Sequence, residues 1–340
     1  MAVEMNRGRM IQLSRTVCAT KLLEELIHFR IFISMISITF PKVAIKKSFC
    51  LLCCAALTSF AFPRSTMAVT IGETTYEGRA HFKIETEQAT YLYDCAGGGF
   101  SRIIDRDGAD WITFRSEPLN QVPASAAAGF RGIPNLVFGK SNPDAGAGHP
   151  GHDRCESTIV GEDTIRTVSK SGHWAWSWCF AETNAVFLME KVDVENAWWF
   201  LYEGTIGGRW SPSTHYWGTD TGGPRREVND TKRQLFEQWR WVYLGDDLSP
   251  RVLLICQVEQ DEKPDTLWFM GSTSSGLRSD DGMVVFGFGR GPSGKPQFRG
   301  AGQKFVLGFV EQFVRDSEAH AECERVADRW TKRIAKRSEN

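Results

Sequence analysis

From Thr70 to Glu311 the chain repeats one pattern: a short run of alternating apolar and polar residues, a few turn-forming residues, then another run. "HFKIET", "TYLYD", "STIVG", "TIRTVSK", "HWAWSWCF", "AVFLMEKVDV" and "AWWFLYEG" are of this kind, as are "WRWVYLG", "RVLLICQVE", "DTLWFMG", "MVVFGFGR" and "KFVLGFVE". Period-two alternation in such short runs is the mark of strands, and the connections are too short for the crossovers that parallel strands need. About a dozen antiparallel strands without intervening helices predict an all-β fold, a large antiparallel β-sandwich burying one core.

The C-terminus breaks the pattern. After Asp316-Ser317, which can cap, Ala319, Cys323, Val326, Ala327, Trp330 and Ile334 fall on one stripe at helical spacing, with charges on the other face. The expectation is a β-sandwich over 69–312 and a helix over 313–340 that packs on it as a structural closure.

The N-terminus reads differently again. "KVAIKKSFCLLCCAALTSFAFPRSTMA" has a basic head, an apolar stretch too short to span a bilayer, and small residues after it. This is the layout of a signal peptide over 35–68, starting at Met35, with 1–34 a mis-called extension. The mature protein would then be secreted or periplasmic, with no stable membrane span. Residues 1–68 hold nine of the 40 Lys+Arg and three of the 41 Asp+Glu, so the rest carries 31 basic against 38 acidic side chains, a net of −7. A nucleic-acid partner is excluded on that balance, because phosphate binding needs concentrated positive charge. Five cysteines remain, Cys95, Cys155, Cys179, Cys256 and Cys323, without a C-x-x-C pair. Small core residues are the default reading, with a Cys155–Cys179 bridge conceivable if their strands are neighbours.

"YLYDCAGGGFSRIIDRDGADWITF" combines a Gly-rich entry, a strand, an acidic D-x-D-G turn and a strand carrying "DWI". It resembles the N-terminal hairpin of galactose-mutarotase-like proteins, and "RGIPNLVF" and "WFLYEGTIGG" are similar in feel to secreted polysaccharide-lyase-like proteins. The resemblance implies a supersandwich and a carbohydrate partner, a polysaccharide or oligosaccharide. No stretch matches the mutarotase catalytic motifs, so no role is carried over from them.

Two segments are too long for simple connections, "GKSNPDAGAGHPGHDRC" and "GTIGGRWSPSTHYWGTDTGGPRREVNDTKRQLFE". They bring His149 and His152, then Arg209, Trp210, His215, Trp217, Arg225 and Arg226. Sugars stack their C–H faces on aromatic rings, so Trp210 and Trp217 are candidates for binding. In "HWAWSWCF", Trp174, Trp176 and Trp178 share one side of a strand. That side is either core or the floor of a cleft, and the expectation is that at least one indole reaches a cleft, with His173 beside it.

A lyase acting on a uronate polymer needs a cation or amide to neutralise the carboxylate, a base for the C5 proton and an acid for the leaving oxygen. Arg131 and Asn135, four apart, would share a face of a strand and supply the first. His149, His152, His173 or His215 would be the base and Tyr202 the acid. Glu203 is a separate candidate, as an epimerase base or a hydrolase acid. His149 and His152 with Asp144 or Asp153 would make a metal set, but the Pro150-Gly151 turn need not bring the rings together. No H-E-x-x-H spacing, nucleophile elbow or phosphate loop is present. No metal and no cofactor is therefore expected. The sequence thus reads as a carbohydrate-active protein, a lyase-like enzyme ahead of a binding module, epimerase or hydrolase.

Overall fold

A computed structural model describes residues 68–116, 131–139, 141–208, 210–211, 213–226, 235–269 and 283–338. Residues 1–67, on which the expected extension and most of the expected signal peptide fall, lie outside them, as does Arg209. The alternating runs form seventeen strands among these residues, all paired antiparallel, and one long helix. Strands β1 (Thr70–Tyr76), β2 (Arg79–Glu85), β3 (Ala89–Asp94) and β4 (Gly99–Asp105) make a four-stranded meander. A nine-stranded sheet begins with β5 (Cys155–Val160), β6 (Thr164–Ser169), β7 (Ala175–Phe180) and β8 (Asn184–Lys191). It is completed by β10 (His215–Thr219), β11 (Gly222–Arg225), β13 (Trp241–Asp246), β14 (Val252–Gln257) and β17 (Lys304–Val310). Its order is β11-β10-β13-β14-β17-β8-β7-β6-β5. The remaining strands, β9 (Phe200–Gly204), β12 (Leu235–Glu237), β15 (Asp265–Phe269) and β16 (Val284–Phe288), form a third sheet in the order β12-β15-β16-β9.

One core joins all three sheets. The meander packs on β7, where Phe100 meets Trp178 at 4.8 Å and Trp176 Nε1 donates to the Tyr93 hydroxyl at 3.0 Å. The third sheet packs on β17 and β8, with Phe200 stacked on Phe305 at 4.1 Å. The expected pair of sheets is thus a large sheet faced by two small ones. Strands β13 and β14 are buried along their whole length, because their second face is also covered. Helix α1 (Ser317–Ser338) lies there, burying Ala319, Cys323, Val326 and Ala327 against Tyr243, Leu254 and Cys256. Asp316 caps it by accepting from Ala319 N–H. No helix among the described residues is long and apolar enough to cross a membrane.

The tryptophan stripe is core. Trp174, Trp176 and Trp178 are all 0% exposed, while Ser177 and Cys179 on the other side of β7 meet solvent. Trp174 and Trp176 therefore cannot bind substrate as expected: the small residues point outward and the indoles fill the space under the meander. Cys155 and Cys179 lie on β5 and β7 with β6 between them, and no bridge links them. The acidic turn is structural too. Asp105 and Asp107 neutralise the buried Arg251 at 3.0 and 2.8 Å, a charge that would otherwise be costly inside the protein.

Candidate active site

Strand β9 sets the site by simple alternation. Phe200 and Tyr202 point into the core, so Leu201 and Glu203 point to the opposite, outer face of the third sheet. On that face Glu203 lies beside Val285 of β16, and Val285 beside Trp268 of β15. Leu201 sits opposite Gly287, and a Cβ there would come within 2.1 Å of the leucine side chain. Residues 132–136 run along the free edge of β9. Gly132 and Glu203 exchange backbone hydrogen bonds of 2.7 and 2.9 Å, and Leu201 N–H donates to the Pro134 carbonyl at 2.7 Å.

The loop that follows covers the outer face. Asn135 N–H donates to Gly148 O at 2.8 Å and Gly146 N–H to Val137 O at 3.0 Å, folding residues 146–148 back over 135–137. The Gly-rich turn after β3 fixes its far side. Buried Asp94 accepts from the N–H groups of Ala96, Gly97 and Gly151 and pairs with Arg79 at 2.7 Å. Arg79 also donates to the His152 carbonyl at 2.7 Å. Gly97 is required by close approach, since a Cβ there would stand 2.5 Å from His149 O. Glycines of this turn thus serve to seat the histidine loop.

Between loop and sheet lies a cavity of about 390 Å³. Phe138, Trp199 and Trp268 give it an aromatic wall, with Phe138 stacked on Trp199 at 4.8 Å. Its polar groups are Glu203, Asn135, His149, His152 and Arg290. His149 Nε2 stands 4.0 Å from Glu203 Oε2. That is too long for a hydrogen bond and leaves room for a ligand oxygen between them. His149 Nδ1 lies 2.8 Å from the Pro150 carbonyl, which can only accept, so Nδ1 carries the proton and Nε2 faces the carboxyl. Asn135 donates its side-chain amide to Glu203 Oε2.

Burial pushes the Glu203 carboxyl up to about 7, against the opposing pull of Arg290 and the Asn135 amide. Burial also depresses His152, with Arg154 and Arg79 adding to the effect. The Arg290 guanidinium sits over the Trp199 ring at 5.2 Å, and its desolvation is partly offset by Glu203. A carboxyl group poised near neutrality, an imidazole one oxygen's breadth away and an aromatic wall can together move protons on a bound polyol.

Four of the expected catalytic residues meet here: His149, His152, Glu203 and Asn135. Arg131 does not, because its guanidinium donates to the carbonyls of Ile112 and Gly208. Asn135 has a φ of 44°, so residues 131–135 are not the extended strand that would put both side chains on one face. Tyr202 faces the core and donates to the Trp111 carbonyl, and burial drives its hydroxyl far above the usual range. It cannot serve as the acid.

The described residues of the second irregular segment do not line this cavity. Trp210 packs on His215 at 5.1 Å and on Phe269 at 4.8 Å, and Trp217 is 2% exposed. His215 accepts from Ser211 N–H and faces Asp246 at 3.4 Å, with burial lowering its pKa. Arg225 lies over the Trp217 ring and Arg226 pairs with Asp247, so both arginines are used structurally. These aromatic rings are core because their loop runs back into β10 of the large sheet. His173 is exposed on the β6–β7 turn, away from the cavity lining. Trp199, Phe138, Trp268 and Arg290 were missed from sequence. Trp199 was findable: it stands immediately before β9, in phase with Leu201 and Glu203.

By sequence, no family model and no curated protein matches the chain. By structure, it is similar to HI1317, with a TM-score of 0.47 and 10% identity over 72% of this chain and 100% of that one. It is also similar to a galactose mutarotase-like protein from Lactobacillus casei, with a TM-score of 0.44 and 9% identity over 67% and 99% of the two chains. A galactose mutarotase related enzyme from Lactobacillus acidophilus is similar at a TM-score of 0.41 and 9% identity, over 68% and 97%.

Proposed function

We propose that the cavity binds a sugar and that Glu203 and His149 act on it as an acid–base pair. The observation that supports this is the 4.0 Å separation of His149 Nε2 and Glu203 Oε2, with the carboxyl raised to about 7, inside an aromatic-walled pocket. A hydroxyl and a ring oxygen borne by one sugar carbon are spaced to meet two such groups. Neutral His149 takes the hydroxyl proton while protonated Glu203 gives its own to the ring oxygen, and the C–O ring bond opens to a free aldehyde. Reversal after rotation closes the ring on the other face and restores both groups. The pair shares one proton throughout, so the rate falls when pH removes that proton or adds a second.

One observation favours a second reading, β-elimination on a uronate polymer. Arg290 lies in the same cavity and supplies the cation that Arg131 does not. One panel separates the readings. Anomer exchange on simple aldoses, followed by NMR and lost in Glu203→Gln and His149→Ala, supports the acid–base pair. Absorbance from unsaturated uronate moves the assignment to a lyase, and sugar binding without either reduces the protein to a binding module. The leader-like residues support action outside the cytoplasm. N-terminal sequencing of the mature protein that found a start upstream of residue 50 would overturn export.

A further inference from the structure

Away from the cavity, three loops bring together groups that no step above uses. Asp144 comes from the loop that covers the cavity, His173 from the β6–β7 turn, and Asp193 from the connection after β8. His173 Nδ1 stands 3.6 Å from Asp144 Oδ2 and 3.8 Å from Asp193 Oδ2, and all three ligand atoms lie within 4.8 Å of one another. We propose that this trio is a binding site for a divalent transition-metal cation, of the zinc or manganese kind, that clips the cavity-covering loop to the large sheet.

Three features of the trio support this. Both His173 distances exceed hydrogen-bond length, so the imidazole is bonded to neither carboxylate. Donors held about 2.1 Å from a four-coordinate ion stand about 3.4 Å apart, so the two His173 distances need to shorten by only a few tenths of an ångström to close on a cation. Next, the Asp144 side chain is 6% exposed, and among the described residues the basic side chain facing both carboxylates is His173, which carries charge only when protonated. A buried carboxylate needs a counter-charge, and neutral imidazole supplies none. The Lys191 ammonium donates to the Gly172 carbonyl at 2.6 Å, and among the described residues it forms no ion pair with either carboxylate.

The third feature is the surrounding shell. Ser171 Oγ donates to Asp144 Oδ2 at 2.8 Å and accepts from His173 N–H at 3.1 Å, tying two of the donors to one hydroxyl. Asn196 Nδ2 donates to Asp193 Oδ2 at 2.9 Å, and Glu195 N–H to Oδ1 at 2.8 Å. Ligating carboxylates are oriented by such partners in metal sites. A mixed set of one imidazole and two carboxylates suits zinc or manganese better than calcium, which takes six or more oxygens. His173 is 57% exposed, leaving an open side for water on the ion. Asp144 lies one and two residues before Ala145 and Gly146 of the cavity wall, so an ion here would hold that wall in place.

The test is calorimetric titration of the chelator-treated full chain with zinc chloride and manganese chloride, beside magnesium and calcium. One equivalent of zinc or manganese should bind and raise the melting temperature. His173→Ala and Asp193→Asn, both on side chains that reach solvent, should each weaken binding about tenfold or more and remove the thermal shift. His149→Ala should still bind the metal. No binding, equal binding by the His173 and Asp193 variants, or binding lost in His149→Ala instead would overturn the site. None of these outcomes depends on sugar chemistry.

Discussion

Replacing Glu203 with Gln should stabilise the protein at neutral and alkaline pH while abolishing its chemistry. Glu203 titrates at about 7 in the folded chain against an ordinary 4.5, so folding favours its protonated form. Its side chain is 14% exposed, which leaves little solvent screening. Above 4.5 the unfolded chain releases the proton while the folded chain keeps it, so stability falls as pH rises, and the loss is complete above about 7. At roughly 1.4 kcal/mol per pH unit over that interval, the ionised carboxyl costs about 3 kcal/mol. Gln copies the protonated acid and keeps an oxygen for the Asn135 amide. Urea unfolding of both proteins at several values between pH 5 and 8.5 reads the difference directly. The two curves should nearly coincide at the acid end and diverge by about 3 kcal/mol at the alkaline end. A constant difference across the range would refute the argument, because Glu203 would then titrate as an ordinary surface carboxylate.

Other substitutions separate core from site. Trp178→Ala should cost about 3–5 kcal/mol in denaturant unfolding, since the indole is fully buried among Phe100, Phe187 and Phe200. A small effect would mean the stripe is not core. Phe138 is 57% exposed on the cavity wall, so Phe138→Ala should change stability by no more than about 0.5 kcal/mol. The same change should weaken sugar binding about tenfold in calorimetry, the loss expected for one aromatic contact. Gly97→Ala should lower turnover about a hundredfold in the anomer-exchange assay, because its Cβ would stand 2.9 Å from Pro150 Cα and displace His149. Unchanged turnover would show that the seat of the histidine loop does not matter.

The strands were legible because period-two alternation survives in each run, and the C-terminal helix because its stripe is unbroken from Ala319 to Ile334. What the alternation leaves open is which side of each strand is covered. Trp174, Trp176 and Trp178 share a face whether that face meets the meander or a ligand, and only packing decided for the meander. Glu203, His149 and His152 were readable as candidates from residue type and loop length. Arg131 misled because spacing was converted to a shared face on the assumption of extended backbone, and Asn135 is left-handed instead. Arg290 lies two residues beyond β16 in "GFGRGPSG", which reads as a strand end and turn. Its place beside Glu203 follows from the pairing of β16 with β9, a contact between residues far apart in sequence. Trp210 and Trp217 looked like loop aromatics because the return of their segment into β10 leaves no local mark.

The proposed chemistry places a sugar's ring oxygen at Glu203 and the hydroxyl of the same carbon at His149. A crystal structure with a bound monosaccharide or uronate oligosaccharide tests it most directly. The ring oxygen is expected within about 3 Å of Glu203 Oε2 and the anomeric hydroxyl within about 3 Å of His149 Nε2, with the sugar ring against Phe138 or Trp268. A sugar bound elsewhere, on the helix face or the outer side of β7, with the Glu203–His149 gap filled only by water, would contradict it.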